Sequence, residues 1–376
     1  MTRYRDLGLT VGQLPPGPLN AITDVDGLMV GMTTLIEGGG PLHVGMGPVR
    51  TGVTVIVPHG DIGAEPVFAG CHRLNGNGEL TGLEWVRESG QLTTPVALTN
   101  THSVGVVRDA LVAAEIRERA DLTAYWSLPV VGETYDGALN DIIGMHVRPE
   151  HLFAALDSAT GGPVAEGGVG GGTGMICHEF KGGTGTASRV TGDWTVGALV
   201  QANYGRRERL TVDGVPVGRA IPLSAVPSPW DEEKEIGRAR EPGAGSIIVI
   251  LATDAPMLPH QLERLAQRAA LGIARVGGAG EHSSGDIFLA FSNGNRGRIE
   301  SYKGEGATAP LDVSMIPDGA ISELFWAAIE STEEAILNAL VAADSMAGRD
   351  GITAHQLDHD LLVETMTRYA RGPESG

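Results

Sequence analysis

Cysteine is nearly missing from this chain. Cys71 and Cys177 are its only two among 376 residues, so a disulfide framework does not hold the fold together. Positive charge is scarce too: 27 Lys and Arg stand against 46 Asp and Glu, for a formal net charge of -19. Such a surface repels a phosphate backbone and anionic lipid alike, which argues against nucleic acid or a membrane as partner. It is compatible with substrates that carry a free cationic amine. Long apolar runs are also lacking: no window approaches 18 apolar residues, and residues 1–9 carry no apolar signal core, so the expected location is the cytoplasm. Neither a phosphate-binding P-loop nor a strand-led dinucleotide fingerprint is present, and there is no HExxH or clustered His/Cys set. No metal or cofactor is therefore expected.

What is there is an ordinary soluble composition, 42% hydrophobic and 19% charged, with 55 glycines. Glycine in that quantity implies many tight turns and close approaches of backbone to backbone or ligand. The length exceeds the usual ~100–200 residues per domain, although a large α/β unit can absorb it as one core.

The stretch around which the chain is organised is Gly243-Ala244-Gly245-Ser246, followed by the unbroken apolar run Ile247-Ile248-Val249-Ile250-Leu251-Ala252. That run predicts a strand buried on both faces, with a hydroxyl at its mouth and a glycine hinge just upstream. The Ser246 hydroxyl can then reach the carbonyl of Gly245. Attack there, followed by hydrolysis of the ester, cuts the chain and makes Ser246 a new N-terminus. A free α-amine titrates near pH 7.7 to 8.0 in model peptides, so an N-terminal serine brings its own general base. On pattern alone, Gly-Ser before a strand is also an ordinary loop entering a core strand.

Taken in order, the chain opens with a lead-in broken by Pro15, Pro16 and Pro18. Alternation predicts strands over 28–35 and 52–58, paired antiparallel. The Asn-Gly pairs of residues 75–79 predict a turn that leads into a short helix over 82–89. A strand over 95–101 precedes an amphipathic helix over 103–119, built on Val104, Val107, Leu111, Ala114 and Ile116. His102, at that helix start, reads as structural. A strand over 126–136 ends in the polar cluster Glu133, Thr134, Tyr135 and Asp136, the material of an active-site rim.

Residues 161–188 form a glycine-rich centre, expected to pass close to the nucleophile or substrate. A strand over 194–203 ends in Asn203, whose amide could donate to a developing oxyanion. Residues 212–245 are proline-rich, charged and linker-like, and end at the proposed scissile bond. Beyond Ser246, a helix is predicted over 258–276 and a second core strand over 283–291. Ser284 and Asp286 share one face of that strand, as a relay toward Ser246. The longest helix, over 318–347, is expected to break near Ser331 and Thr332, and a terminal helix follows over 355–371.

Gly245-Ser246-Ile247-Ile248-Val249, Ala252-Thr253-Asp254-Ala255-Pro256 and Leu258-Pro259-His260-Gln261-Leu262 carry a family likeness. It continues through residues 75–79, 98–104, 170–175, 180–183, 200–203 and 284–288, in family order over most of the chain. The sequence resembles the self-cleaving N-terminal-serine peptidases typified by the L-aminopeptidase D-amidase/esterase DmpA and the β-peptidyl aminopeptidases. The resemblance implies an α/β fold, a four-layer αββα sandwich of the DmpA/ornithine acetyltransferase type. It implies one catalytic domain over 1–376, cut into 1–245 and 246–376, with the pair commonly assembled as a homotetramer.

The resemblance also assigns residues. Ser246 matches the nucleophile, Ser284 and Asp286 the serine and acid that orient and tune it, and Asn203 the oxyanion donor. Tyr135 matches a tyrosine lining the reaction centre, and Glu133 a carboxylate associated with the substrate amine. The implied substrate is a small peptide, amide or ester with a free N-terminal amine. Two alternatives stand beside it: an ornithine acetyltransferase-like acyltransferase, whose family uses threonine where this chain has Ser246, and an unprocessed protein that binds a small ligand through its glycine-rich loops.

Overall fold

The computed structural model describes residues 1–119, 126–231, 245–299, 310–370 and 372. Gly243 and Ala244 of the hinge and the charged part of the linker, residues 232–242, lie outside them. The main elements in chain order are β1 (Met29–Glu37), β2 (Val49–Val57), β3 (Val67–Arg73), α1 (Leu83–Ser89), β4 (Gln91–Leu92), β5 (Val96–Asn100), α2 (Val104–Glu118), β6 (Val130–Thr134) and α3 (Pro149–Asp157). There follow β7 (Ile176–Cys177), β8 (Phe180–Lys181), β9 (Gly183–Thr191), β10 (Trp194–Asn203), α4 (Val217–Ala220), β11 (Ser246–Thr253), α5 (Pro259–Arg275), β12 (Gly285–Ser292), α6 (Ile321–Val341) and α7 (His359–Arg368).

Two sheets dominate. One has the order β1-β2-β5-β6, and the other β4-β3-β12-β11-β10-β9. β1 and β2 pair antiparallel, as their alternation predicts, and β11 and β12 pair parallel at the centre of the larger sheet. The apolar run of β11 explains its place there. Ile248, Ile250 and Ala252 face the smaller sheet, in one cluster with Ile56, Val96 and Leu98. Ile247, Val249 and Leu251 face the opposite way, in one cluster with Leu262, Leu265 and Ala269 of α5 and Ile336 and Leu340 of α6. Each such side chain contributes about 1.5–3 kcal/mol when fully buried, so the strand beginning at Ser246 is anchored from both sides. On the far side of the smaller sheet, Val53, Val55, Ala97 and Val131 pack against Val104, Val107 and Leu111 of α2 and Leu152 and Ala155 of α3. The layers are thus helix, sheet, sheet, helix, the αββα sandwich.

Some elements depart from the sequence expectations. β3 lies in a stretch for which no element was predicted. The end of the glycine-rich centre is a strand, β9, at the edge of the larger sheet. Its composition of Gly, Thr, Ala and Ser follows from the helix laid on it: a Cβ at Gly185 would stand 2.0 Å from the carbonyl oxygen of Ala335 in α6. α6 itself runs unbroken through Ser331 and Thr332, because both hydroxyls donate back to the Ala328 carbonyl and so are satisfied within the helix.

Candidate active site

Two strand registers assemble the site. Asn203 lies opposite Ser246 across the β10–β11 ladder, and Ser246 lies beside Gly285 across the β11–β12 ladder. Asn203 ends its strand, Ser246 and Gly285 begin theirs, and Ser284 and Asp286 flank Gly285. Four chemistry-bearing residues from three separate stretches of the sequence therefore meet at the ends of the central strands of the larger sheet. Gly245 is a glycine because of this register: a Cβ there would stand 2.1 Å from the Asn203 carbonyl oxygen.

Ser246 is buried, and its Oγ accepts a hydrogen bond from the Gly285 N–H at 3.2 Å. Ser284 Oγ donates to Asp286 Oδ1 at 2.6 Å, and the Ile247 N–H donates to the same oxygen at 3.2 Å. Burial pushes the Asp286 carboxyl up to about 6, against the Ser284 and Ile247 hydrogen bonds that favour its charged form. The Ser284–Asp286 pair is locked from behind by Asn75, whose Oδ1 accepts from the Asp286 N–H at 2.7 Å and whose Nδ2 donates to the Glu281 carbonyl at 2.8 Å.

The Asn203 carboxamide is held at both ends. Its Oδ1 accepts from the Ile176 N–H at 2.8 Å, and its Nδ2 donates to the Tyr135 carbonyl at 2.9 Å. That occupies one of its two amide hydrogens.

Glu133, at the end of β6, is buried. Its Oε1 accepts from the Glu79 N–H at 3.0 Å, and its Oε2 accepts from the Thr101 hydroxyl. Burial raises its pKa, and the Thr101 and Glu79 hydrogen bonds oppose that rise. Tyr135 follows directly and is 40% exposed. A cavity of about 290 Å³ opens among Asn77, Thr101, Glu133, Tyr135, Gly245, Ser246 and Ser283. That is the small end of the ~300–1,000 Å³ range of ligand pockets, and its polar lining with one buried carboxylate fits a short cationic ligand.

The structure thus brings all the expected site residues together. Ser246, Tyr135, Glu133 and Gly245 line the cavity, while Asn203, Ser284 and Asp286 stand behind its wall. The glycine-rich centre does not line the cavity. Its Gly170–Gly172 turn is buried against Thr34 and Thr54 of the smaller sheet, and it approaches the site through the Ile176 N–H and the Met175 sulfur, which accepts from Thr134 at 3.0 Å. His102 is exposed, and its backbone N–H joins that of Ser103 on Asn100 Oδ1, capping the turn into α2.

Thr101, Asn77, Ser283 and the clamp residue Asn75 were not singled out in the sequence as site residues. The Asn-Gly-Asn-Gly turn was the signal for two of them. Thr101 lay within the family-like block 98–104 but carried no chemical signal of its own, and it reaches Glu133 where the Asn100 cap turns the chain. Among the described residues no group of three or more His, Cys, Asp and Glu could hold a metal, and no helix is long and apolar enough to cross a membrane.

Comparison with known proteins agrees with this geometry. Residues 20–354 match the model of Peptidase family S58. The chain is 49% identical to the β-peptidyl aminopeptidase BapA of Sphingosinicella microcystinivorans, over 98% of this chain and 93% of that one. Among solved structures, a β-aminopeptidase from a Burkholderia species superposes with a TM-score of 0.88 at 55% identity, covering 98% of this chain and 99% of that one. The L-aminopeptidase D-Ala-esterase/amidase of Ochrobactrum anthropi, described as a variant of the Ntn hydrolase fold, superposes with a TM-score of 0.89 at 45% identity, over 98% and 99% of the two chains. A family match over most of the length, joined by relatives that span nearly all of it, establishes that the chain belongs to peptidase family S58.

Proposed function

We propose that the chain is a self-processing serine aminopeptidase that releases N-terminal residues, β-amino acids among them, from short peptides, amides or esters. The observation that carries the reading is the convergence on one small cavity of a buried serine at a strand start and a buried carboxylate, Ser246 and Glu133, with Asn203 behind the serine. The names of the relatives supply the preference for β-amino acids.

In the first step Ser246 Oγ attacks the Gly245 carbonyl carbon, the Gly245–Ser246 C–N bond breaks, and an ester forms with the α-amine freed. Water hydrolyses that ester, leaving a carboxylate on Gly245 and an N-terminal Ser246. In turnover the new α-amine, aided by Ser284 and Asp286, takes the Oγ proton as Oγ attacks the substrate carbonyl. Glu133 holds the substrate ammonium, Tyr135 borders the reacting centre, and Asn203 donates to the oxyanion. The leaving amine takes the proton, and water releases the acyl group from Ser246. The proposed form is one domain cut into 1–245 and 246–376, acting in the cytoplasm as a homotetramer of such pairs.

Wild type and Ser246→Ala, compared for chain cleavage and for hydrolysis of α- and β-aminoacyl p-nitroanilides, test the reading. Cleavage or turnover by the alanine variant at the wild-type rate sinks it. Transfer of the acyl group to an amine acceptor in place of water would favour an acyltransferase instead.

A further inference from the structure

Lys181 is a buried titratable group for which the reaction above has no use. It ends β8 and is fully enclosed, and its ammonium donates to the carbonyls of Gly182 at 2.7 Å, Met175 at 2.9 Å and Gly172 at 3.5 Å. No ion pair reaches it among the described residues, and burial pushes its pKa down to about 7. An amine taken out of water without a counter-ion is costly, and a methionine would fill the same space without that cost. The acceptors it holds give it a use.

The Met175 carbonyl and the Ile176 N–H belong to one peptide unit. The carbonyl faces Lys181, and the N–H donates to Asn203 Oδ1 at 2.8 Å. The Gly182 N–H grips the same carbonyl at 3.0 Å, so the peptide plane is fixed from two sides. Ammonium, peptide and carboxamide therefore form one head-to-tail series of dipoles that ends at the Asn203 amide hydrogens. Hydrogen bonds in such a series strengthen one another by ~10–30% each, and the interior dielectric screens them little.

We propose that Lys181 is a positioning residue for the oxyanion donor, its ammonium fixing and polarising the Met175–Ile176 peptide, which in turn orients and polarises the Asn203 carboxamide. The inference rests on the reading of Ser246 as nucleophile and Asn203 as donor. In its protonated form it adds a charge, one hydrogen-bonded peptide away from Asn203, that makes the amide a better donor when the substrate carbonyl becomes an oxyanion.

The test compares full-length wild type, K181M, K181Q and S246A, with self-cleavage followed by intact mass and with kcat and KM measured on a β-aminoacyl p-nitroanilide. K181M is expected to lower kcat about tenfold, a part of the ~10²–10³ that loss of a direct oxyanion donor costs. Its KM should stay within about twofold of wild type, its self-cleavage should slow by a similar factor, and K181Q, which keeps a donor without the charge, should fall between. A lysine needed only for packing lowers the melting temperature and leaves this kcat-selective loss absent. A K181M enzyme with kcat within about twofold of wild type, or with KM rising as much as kcat falls, overturns the inference. If K181M does not fold, K181Q is judged by the same criteria. An active S246A would sink the proposed function itself, whereas an inert S246A beside a fully active K181M sinks this inference alone.

Discussion

Ser246 and Asn203 are register partners at the ends of two neighbouring interior strands of the larger sheet. The serine and the carboxamide are therefore spaced by a backbone ladder, and the ladder is held by a strand buried on both faces. The pair is preorganised by the same packing that stabilises the fold, so changes to either residue should report on chemistry before they report on folding.

Ser246→Ala removes the hydroxyl and leaves the packing of β11 intact. The purified variant should be a single species of 39.1 kDa, with no hydrolysis of aminoacyl p-nitroanilides above background. Wild type should separate into two polypeptides by intact mass under denaturing conditions.

Asn203→Ala should lower kcat by about 10²–10³. It also strands the Ile176 N–H and the Tyr135 carbonyl, both paired through this carboxamide. A stability loss of about 1–3 kcal/mol follows from leaving such buried groups unsatisfied. Kinetics and urea unfolding on the same preparation separate the two effects.

Asp286 gives the uncut chain its pH dependence. Its carboxyl, pushed up to about 6, is protonated below that pH and ionised above it. Only the ionised form serves as a full acceptor for Ser284, so self-cleavage should slow as pH falls through about 6, and Asp286→Asn should abolish that limb at a low rate. Stability runs the other way. The unfolded carboxyl titrates near ~3.9, so between that pH and 6 the folded chain holds a proton the unfolded chain has lost, and stability falls as pH rises through the window. Urea midpoints of the S246A chain should show this decline, and those of S246A/D286N should show a shallower one, because the buried Asp136 and Glu166 carboxyls, raised to about 7, titrate over the same range.

Glu133→Gln should raise KM about tenfold or more for substrates with a free amine, with a smaller change in kcat. A hydrogen bond to a charged group contributes roughly 1.5–3 kcal/mol. Because burial raises the Glu133 pKa, acid should raise wild-type KM as the carboxylate protonates. Esters without an amine should be indifferent to the substitution, and initial-rate kinetics on matched substrates decide it.

Arg189 supports the fold away from the chemistry. It is fully buried on β9, with Nε 3.2 Å from Glu330 and Nη2 2.6 Å from Glu334 of α6. Arg189→Met leaves those carboxylates with buried charge, although Arg5 still pairs with Glu334 at 2.7 Å. Breaking such a pair costs about 3–5 kcal/mol, and urea unfolding should show a loss of that size with kcat nearly unchanged in the surviving folded enzyme.

Local pattern determined much of this protein. The short, β-branched apolar run after Ser246 reads as a strand buried on both faces, the two-residue spacing of Ser284 and Asp286 puts both on one side, and Asn203 falls at a strand end, beside a junction. Each of these follows from periodicity, which reports the face a residue turns to the core. Tertiary structure alone decided which junctions meet. Thr101 reaches Glu133 across 32 residues and Ile176 reaches Asn203 across 27, because layers pack and strands take a register that no window of sequence contains. The small residues of β9 read as loop for the same reason: their size is set by the helix lying on them, and that helix comes more than a hundred residues later. Lys181 is the extreme case, a cation whose place in the interior is justified only by carbonyls that the folded backbone gathers around it.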